Sequence, residues 1–176
     1  MAGLWEKLKP DRIVRSVYDI DPSALLREGI RGIIADLDNT LVAARETSVD
    51  PRLVGWLETL RREGLRVVIV SNNKEARVSA VAEALGVPYV FSARKPLGRS
   101  FRRALGLMGL SAEEVAVVGD QLLTDVLGGN RAGLRTILVT PISPEESFLS
   151  KMNRSLEKFA VWAMRKRGID IRGDGS

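Results

Sequence analysis

The chain is expected to fold as a single three-layer α/β domain, a parallel five-stranded sheet with helices on both faces. Two observations predict it. Five short, almost wholly apolar runs alternate with segments of helical periodicity, and strands apolar on both sides belong in a sheet covered on both faces. Polar residues then gather where the runs end: Asp36 closes the first, Ser71, Asn72 and Asn73 the second, Arg94, Lys95 and Pro96 follow the third, and Asp120 ends the fourth. In such sheets ligands bind beyond the carboxyl ends of the strands. At 176 residues the chain suits one domain.

Residues 1–29 read as a lead-in that packs on this core. Leu4, Trp5 and Leu8 stand at helical spacing, Val14, Val17, Tyr18 and Ile20 follow, and residues 22–29 make a short helix closed by glycine. The core, residues 30–140, opens with a strand over 30–36. Asp50 and Pro51 start a helix that runs to about 63, and Gly64 ends it. Strand 66–71, helix 74–85 stopped by Gly86, strand 87–91, helix 97–108, strand 115–119, helix 121–132 and strand 136–139 complete the alternation. Residues 144–168 read as a long helix with Phe148, Met152, Leu156, Phe159 and Ala163 on one stripe, and Lys151, Arg154, Lys158 and Arg165 on another. Residues 172–176 are a small polar tail, expected to be flexible.

Composition removes whole reaction classes. With no histidine and no cysteine, Ser-His triads, thiol nucleophiles and ordinary zinc sites are excluded. Catalysis must use carboxylates, Lys, Arg, hydroxyls, or a hard metal held by oxygen. No apolar run reaches the roughly 18 residues of a membrane span, and residues 1–10 lack the apolar core of a signal peptide. A cytoplasmic location is the expectation, with peripheral contact at the inner face of a membrane left open. The net charge of +5 matters less than its placement. Residues 94–103 hold five bases and no acid, and residues 151–167 hold six bases against Glu157 alone.

The strand-end groups form a constellation with a defined chemistry. On an extended chain residues two apart share a face, so Asp36 and Asp38 can enter one cleft while Leu37 turns to the core. With Thr40, the small donors Ser71, Asn72 and Asn73, the cation Lys95, and Asp120 and Asp125, they suit phosphoryl transfer. A carboxylate attacks phosphorus, magnesium bridges it to a phosphate oxygen, and Ser, Asn and Lys hold the other oxygens. Asp38 is placed to protonate the leaving alkoxide and then to activate water. Plainer roles exist for some of these: Lys95 as one of a surface basic cluster, Asp125 as an acid early in a helix, Thr40 as a cap, Ser71 and Asn72 as turn formers.

The ordered series Asp36-Leu-Asp38-Asn-Thr40, Ser71-Asn-Asn, Lys95-Pro and Gly119-Asp120-Gln-Leu-Leu-Thr-Asp125 resembles the four motifs of the haloacid dehalogenase superfamily. The resemblance covers residues 10–140 and implies a Rossmann-like core. It implies Asp36 as nucleophile, Asp38 as acid/base and Thr40 as a support for the loop. Thr40, Ser71, Asn72 and Lys95 would form the phosphate-binding set. Mg2+ would be held by Asp36, Asp120 and the main-chain carbonyl of Asp38, with Asp125 in its outer shell or steadying Lys95.

Only about 28 positions separate Val42 from Val70, and Lys95 follows Asn72 by 23. That leaves no room for a large cap domain, so the site is open to a substrate bigger than a sugar phosphate. Leu8-Lys-Pro-Asp11 ahead of the first motif, and the run from Gly119 to Arg131, resemble one branch more closely: the capless YqeG-type phosphatases of subfamily IIIA, related to phosphatidylglycerophosphate phosphatases. That resemblance implies an anionic phospholipid substrate and a step of phospholipid biosynthesis; the alternatives are a phosphatase for a nucleotide end, a phosphoprotein or a small metabolite, and a non-catalytic module that binds anionic surfaces. Two basic regions bear on it. Arg94, Arg99, Arg102 and Arg103 flank Lys95 and suit either a second, diester phosphate or nucleic acid, the lipid being favoured. The 144–168 helix, with Trp162 on it and Trp5 ahead of the core, either lies on anionic lipid or packs on the sheet with a solvated basic face.

Overall fold

A computed structural model of the chain describes residues 3–143 and 148–171. Six strands, β1 (Arg12–Val14), β2 (Gly32–Ala35), β3 (Arg66–Val70), β4 (Tyr89–Val90), β5 (Val115–Gly119) and β6 (Arg135–Val139), form one sheet. All pairings are parallel, in the order β1-β6-β5-β2-β3-β4. The helices are α1 (Pro22–Arg27), α2 (Pro51–Arg62), α3 (Glu75–Leu85), α4 (Gly98–Met108), α5 (Leu127–Ala132) and α6 (Phe148–Lys166).

Alternation within the buried strands divides the core into two layers. Ile33, Ala35, Val67 and Ile69 pack with Leu25 of α1, Leu53 and Leu57 of α2, and Val78 and Val81 of α3. Their neighbours Ile34, Val68 and Val70 face the other way, onto Phe101, Ala104 and Met108 of α4. Helix ends follow the sequence signals. Asp21 and Asp50 cap α1 and α2 by accepting the N–H groups of Ser23 and Arg52 at 2.9 and 2.8 Å, with proline at the first helical position in both. Gly86, at φ 62°, ends α3 in the left-handed conformation that a side chain would strain.

Three expectations are corrected. The sheet has six strands rather than five, because β1 adds to the free edge of β6. Asp11 leads it in, donating its N–H to the Thr136 carbonyl (3.0 Å) and accepting the Thr136 N–H on its carboxylate (2.8 Å). A three-residue edge strand with Ile13 exposed has no period to read. The helix expected over 121–132 is two pieces, a π-helical turn over Leu122–Val126 and then α5. The third concerns α6. Among its described side chains the buried ones are Ala160, Ala163 and Met164, whereas Leu156 and Phe159 are exposed. Small alanines let the helix approach Leu8, Leu122 and Val126 closely, and the larger side chains are left outside. Trp5 is partly buried on that same cluster, with the Arg167 guanidinium 4.8 Å from its ring centroid, and so is not an exposed interfacial residue. The expectations for residues 144–147, for the side chains of Phe148, Lys151 and Met152, and for the tail over 172–176 lie outside the described residues.

Candidate active site

Strand β2 lies at the centre of the sheet; the chain goes from it to β3 on one side and later returns to β5 on the other. The loops leaving β2 and β5 therefore diverge and open a crevice at their carboxyl ends, where open α/β sheets take ligands. Asp36 stands directly after β2, its N–H donating to the Val118 carbonyl at 2.9 Å, and Asp120 directly after β5.

These two carboxylates meet a third. Single oxygens of Asp36, Asp120 and Asp125 lie within 4.8 Å of one another. Lys95 reaches into the group from the loop after β4, its Nζ 2.7 Å from Asp36 Oδ1 and 2.6 Å from Asp125 Oδ1. The lysine side chain is 2% exposed, so the pairing is sheltered from water and salt. The π-helical turn places Asp125, whose second oxygen accepts the Gln121 N–H at 3.2 Å, and such turns are frequent at functional sites. Gly119 makes room for it, since a Cβ there would fall 2.2 Å from the Asp125 carboxyl carbon.

The remaining predicted residues form the frame. Thr40 is buried and donates its hydroxyl to Asp120 Oδ1 at 3.2 Å. Asn39, at φ 62°, holds the loop by accepting the N–H groups of Ala44 and Ser143 on its side-chain oxygen. Ser71 Oγ accepts the Asn73 N–H at 3.1 Å, and Asn72 accepts the Lys95 N–H at 2.7 Å, fixing the backbone that delivers the lysine. Asn130 is turned away from the site, donating to the carbonyls of Lys7 and Lys9 and so tying the lead-in to α5.

The Asp38 carboxylate is not one of the three in that cluster and is held instead by a residue that the motif reading missed. Arg77 in the first turn of α3 grips Asp38 Oδ1 through Nε at 3.2 Å and Nη2 at 3.0 Å, while Asn73 donates to Oδ2 at 3.1 Å. The same guanidinium donates to the carbonyls of Ala43 and Glu46. A signal for it existed: the helix after a strand-end loop begins at the site's edge, so a base in its first turn points there. The arginines at 94–103 are placed differently. Arg94, Arg99 and Arg103 line a separate hollow of about 460 Å³ with Val90, Phe91 and Leu97. None of Asp36, Asp38, Asp120 or Asp125 lines that hollow, and Arg102 packs back toward Gly98.

Three acids against one base set the electrostatics. Burial, then the charges of Asp36 and Asp125, push Asp120 up to about 9. Burial pushes Asp125 up to about 6 against the opposing pull of Lys95. Burial would lower Lys95, but the carboxylates of Asp125 and Asp36 outweigh it and hold the ammonium charged. Clustered carboxylate oxygens short of positive charge fit a hard divalent cation such as magnesium. A pH dependence follows. Asp120 and Asp125 bind protons more tightly in the folded chain than in the unfolded one. What these two groups contribute to stability without metal is therefore fully present at low pH and is lost as pH rises from about 4 toward about 9. Thermal melts in EDTA should drop between pH 6 and 9, and added Mg2+ should raise the midpoint more at pH 8.5 than at pH 6. A midpoint independent of pH in EDTA would contradict this.

The chain is similar to known proteins. The model of the haloacid dehalogenase-like hydrolase family matches residues 5–133. The probable phosphatase YqeG of Bacillus subtilis (strain 168) is 45% identical over 159 residues, covering 90% of this chain and 92% of that one. A chloroplastic phosphatidylglycerophosphate phosphatase 1 of Chlamydomonas reinhardtii is 33% identical over 175 residues, covering 91% of this chain but 63% of that longer protein. Among solved structures, a putative subfamily III A hydrolase from Legionella pneumophila aligns with a TM-score of 0.53 at 20% identity, over 84% of this chain and 91% of that one. The likeness to it is one of fold.

Proposed function

The chain belongs to the haloacid dehalogenase-like hydrolases and is a phosphatase, and from that premise we propose a magnesium-dependent phosphomonoesterase that works through an aspartyl phosphate on Asp36, with phosphatidylglycerophosphate as its substrate. The observation that carries the chemistry is the convergence of Asp36, Asp120 and Asp125 around Lys95 at the strand-end crevice. What supports the substrate is the likeness to the algal phosphatidylglycerophosphate phosphatase.

In this reading Lys95 and the Ser71 loop bind the phosphate oxygens and orient phosphorus toward Asp36. A carboxylate oxygen of Asp36 forms a bond to phosphorus as the ester P–O bond breaks, and the departing alkoxide takes a proton from Asp38. Asp38, then a carboxylate, takes a proton from a water whose oxygen attacks the same phosphorus. The Asp36–phosphorus bond breaks, releasing inorganic phosphate and restoring the acid. Magnesium, held by Asp36, Asp120 and the Asp38 main-chain carbonyl with Asp125 beside it, would supply positive charge to the phosphate oxygens.

Asp38 has to address both the leaving oxygen and the water, and Arg77 with Asn73 holds it in place. Arg77→Ala should lower kcat by about 10- to 100-fold with KM changed little, since orientation rather than binding is lost. Arg77→Lys should recover only part of it, because a lysine cannot make the two-point contact. Steady-state kinetics on p-nitrophenyl phosphate checks this, and a rise in KM alone would contradict it.

An open site suits a substrate embedded in a bilayer. Among the described residues no helix is long and apolar enough to cross a membrane, but α6 presents Leu156, Phe159 and Trp162 on one exposed face, with Lys166 Nζ 4.4 Å from the Trp162 ring centroid. An apolar stripe edged by bases suits peripheral contact with anionic lipid. The test is phosphate release from phosphatidylglycerophosphate vesicles, with Mg2+ and with EDTA, beside a panel of soluble sugar, nucleotide and amino-acid phosphates. Preference for the vesicles by kcat/KM supports the reading. Faster turnover of a soluble phosphate identifies a metabolite phosphatase instead.

A further inference from the structure

A second cavity, of about 560 Å³, reaches Asp120 from the opposite side to the arginine-lined hollow. It runs between α6 and the carboxyl end of β6, with walls of Ile13, Leu138, Val139, Val161 and Trp162. Such a surface suits hydrocarbon, and one end of the cavity lies at a carboxylate of the catalytic crevice. Lys158 and Arg165 stand exposed at its rim. Arg154 also lines it, beside Glu157. Glu157, the acid that α6 adds to this lining beside Asp120, accepts the Leu123 N–H at 3.5 Å, so a backbone dipole of the π-helical turn offsets part of its charge. Trp162 belongs both to the groove and to the exposed face of α6 that carries Phe159, its ring centroid 5.7 Å from that of Phe159, so apolar surface continues from the cavity to the outside.

We propose that this groove is the lipid subsite of the enzyme: the glycerol-ester and first acyl carbons of a phospholipid lie against Leu138, Val161 and Trp162, and Lys158 and Arg165 meet its diester phosphate. The phosphomonoester end then enters the crevice past Asp120. The ligand class rests on the lipid reading above. The location does not, since an apolar channel with two exposed cations along its lining and one end at Asp120 of the catalytic crevice selects an anionic amphiphile on its own chemistry. It also reassigns the diester phosphate from the arginines at 94–103, whose hollow does not share a wall with the catalytic acids.

The test is isothermal titration calorimetry with dihexanoyl phosphatidylglycerol, kept monomeric below its micelle concentration, in the presence of Mg2+. Glycerophosphoglycerol, the same headgroup without acyl chains, is the second arm. One site is expected per chain, with a negative heat-capacity change from apolar burial and affinity at least about tenfold above that of the headgroup alone. Lys158→Glu with Arg165→Glu, and separately Trp162→Ala, should each weaken the lipid by about tenfold. All three positions are exposed, so the fold is retained, which circular dichroism verifies. Equal affinity for lipid and headgroup, unchanged binding in both variants, or binding without saturation would each overturn the groove. If the lipid binds as expected but phosphatidylglycerophosphate vesicles are not hydrolysed, the substrate reading fails and the groove stands. If the vesicles are hydrolysed and the calorimetry fails, the reverse holds.

Discussion

Asp36→Asn is expected to reduce phosphate release by about 10⁴-fold or more, the scale seen when a covalent nucleophile is removed. The substitution keeps size and hydrogen-bonding outline but replaces an anionic oxygen with a neutral amide that cannot carry the phosphoryl group. Its structural cost should be small, because Asp36 is one of three carboxylates crowded around a single cation. Lys95 keeps Asp125 at 2.6 Å, and one source of the repulsion that pushes Asp120 up to about 9 disappears. The variant should therefore melt at or above the wild-type temperature in EDTA at pH 8 while gaining less from Mg2+. A dead enzyme with an intact or raised melting temperature is the expected signature. Turnover above about 1% of wild type would rule out Asp36 as the phosphoryl acceptor.

The parts of this site that were readable in the sequence are those fixed by strand geometry. A buried run such as Gly32–Ala35 must end where the sheet ends, so an acid placed just beyond it, as Asp36 and Asp120 are, has to lie at the ligand-binding edge. Lys95, five residues past the end of β4, was readable instead through the Lys95-Pro motif. What escaped reading depends on how loops turn. Arg94 and Lys95 are adjacent in sequence, yet Arg94, at φ 54°, lines an outer hollow while Lys95 plunges between two carboxylates. Nearness along the chain therefore misplaced the arginine cluster. Arg77 has no strand to fix it; its place in the first turn of α3 puts it near the site's edge, but its grip on Asp38 depends on how α3 docks against the loop after β2.

α6 shows a different limit. Its stripe was read from helical periodicity, and burial followed closeness of approach: Ala160, Ala163 and Met164 face inward, and Phe159 and Trp162 remain outside at 60% and 51% exposure. Hydrophobic periodicity locates a stripe but does not say which of two apolar faces has a partner in the chain. Here both faces are apolar. One completes the third core cluster with Leu8 and Leu122, and the other is available to the lipid surface on which the substrate of the proposed reaction would lie.

Lys95→Met should be the most damaging substitution for the fold at the site. In the wild type Lys95 Nζ is within 2.7 Å of Asp36 and 2.6 Å of Asp125, with the lysine side chain and that of Asp125 each 2% exposed. Methionine fills much the same volume, so the loss is of charge rather than packing. Removing one partner of a buried ion pair typically costs about 3–5 kcal/mol, because the other charge is left without compensation. Here the carboxylates have an escape, which is to take up protons, and that makes the penalty depend on pH. At pH 5.5 Asp120, already held up to about 9, is protonated, and Asp125, held up to about 6, can follow at small cost. At pH 8.5 they must either ionise side by side or bind protons against a steep gradient, so the variant should be much less stable there than at pH 5.5. Urea titrations at the two pH values in EDTA measure the difference, and Mg2+ should recover part of it at the higher pH by supplying the missing positive charge. Activity should fall by about 10²- to 10³-fold even with Mg2+, the range found when one electrostatic donor to a transition state is lost. A variant as stable as wild type at pH 8.5 without metal would show that Lys95 does not balance these acids, and that the charge arrangement proposed for the site is wrong.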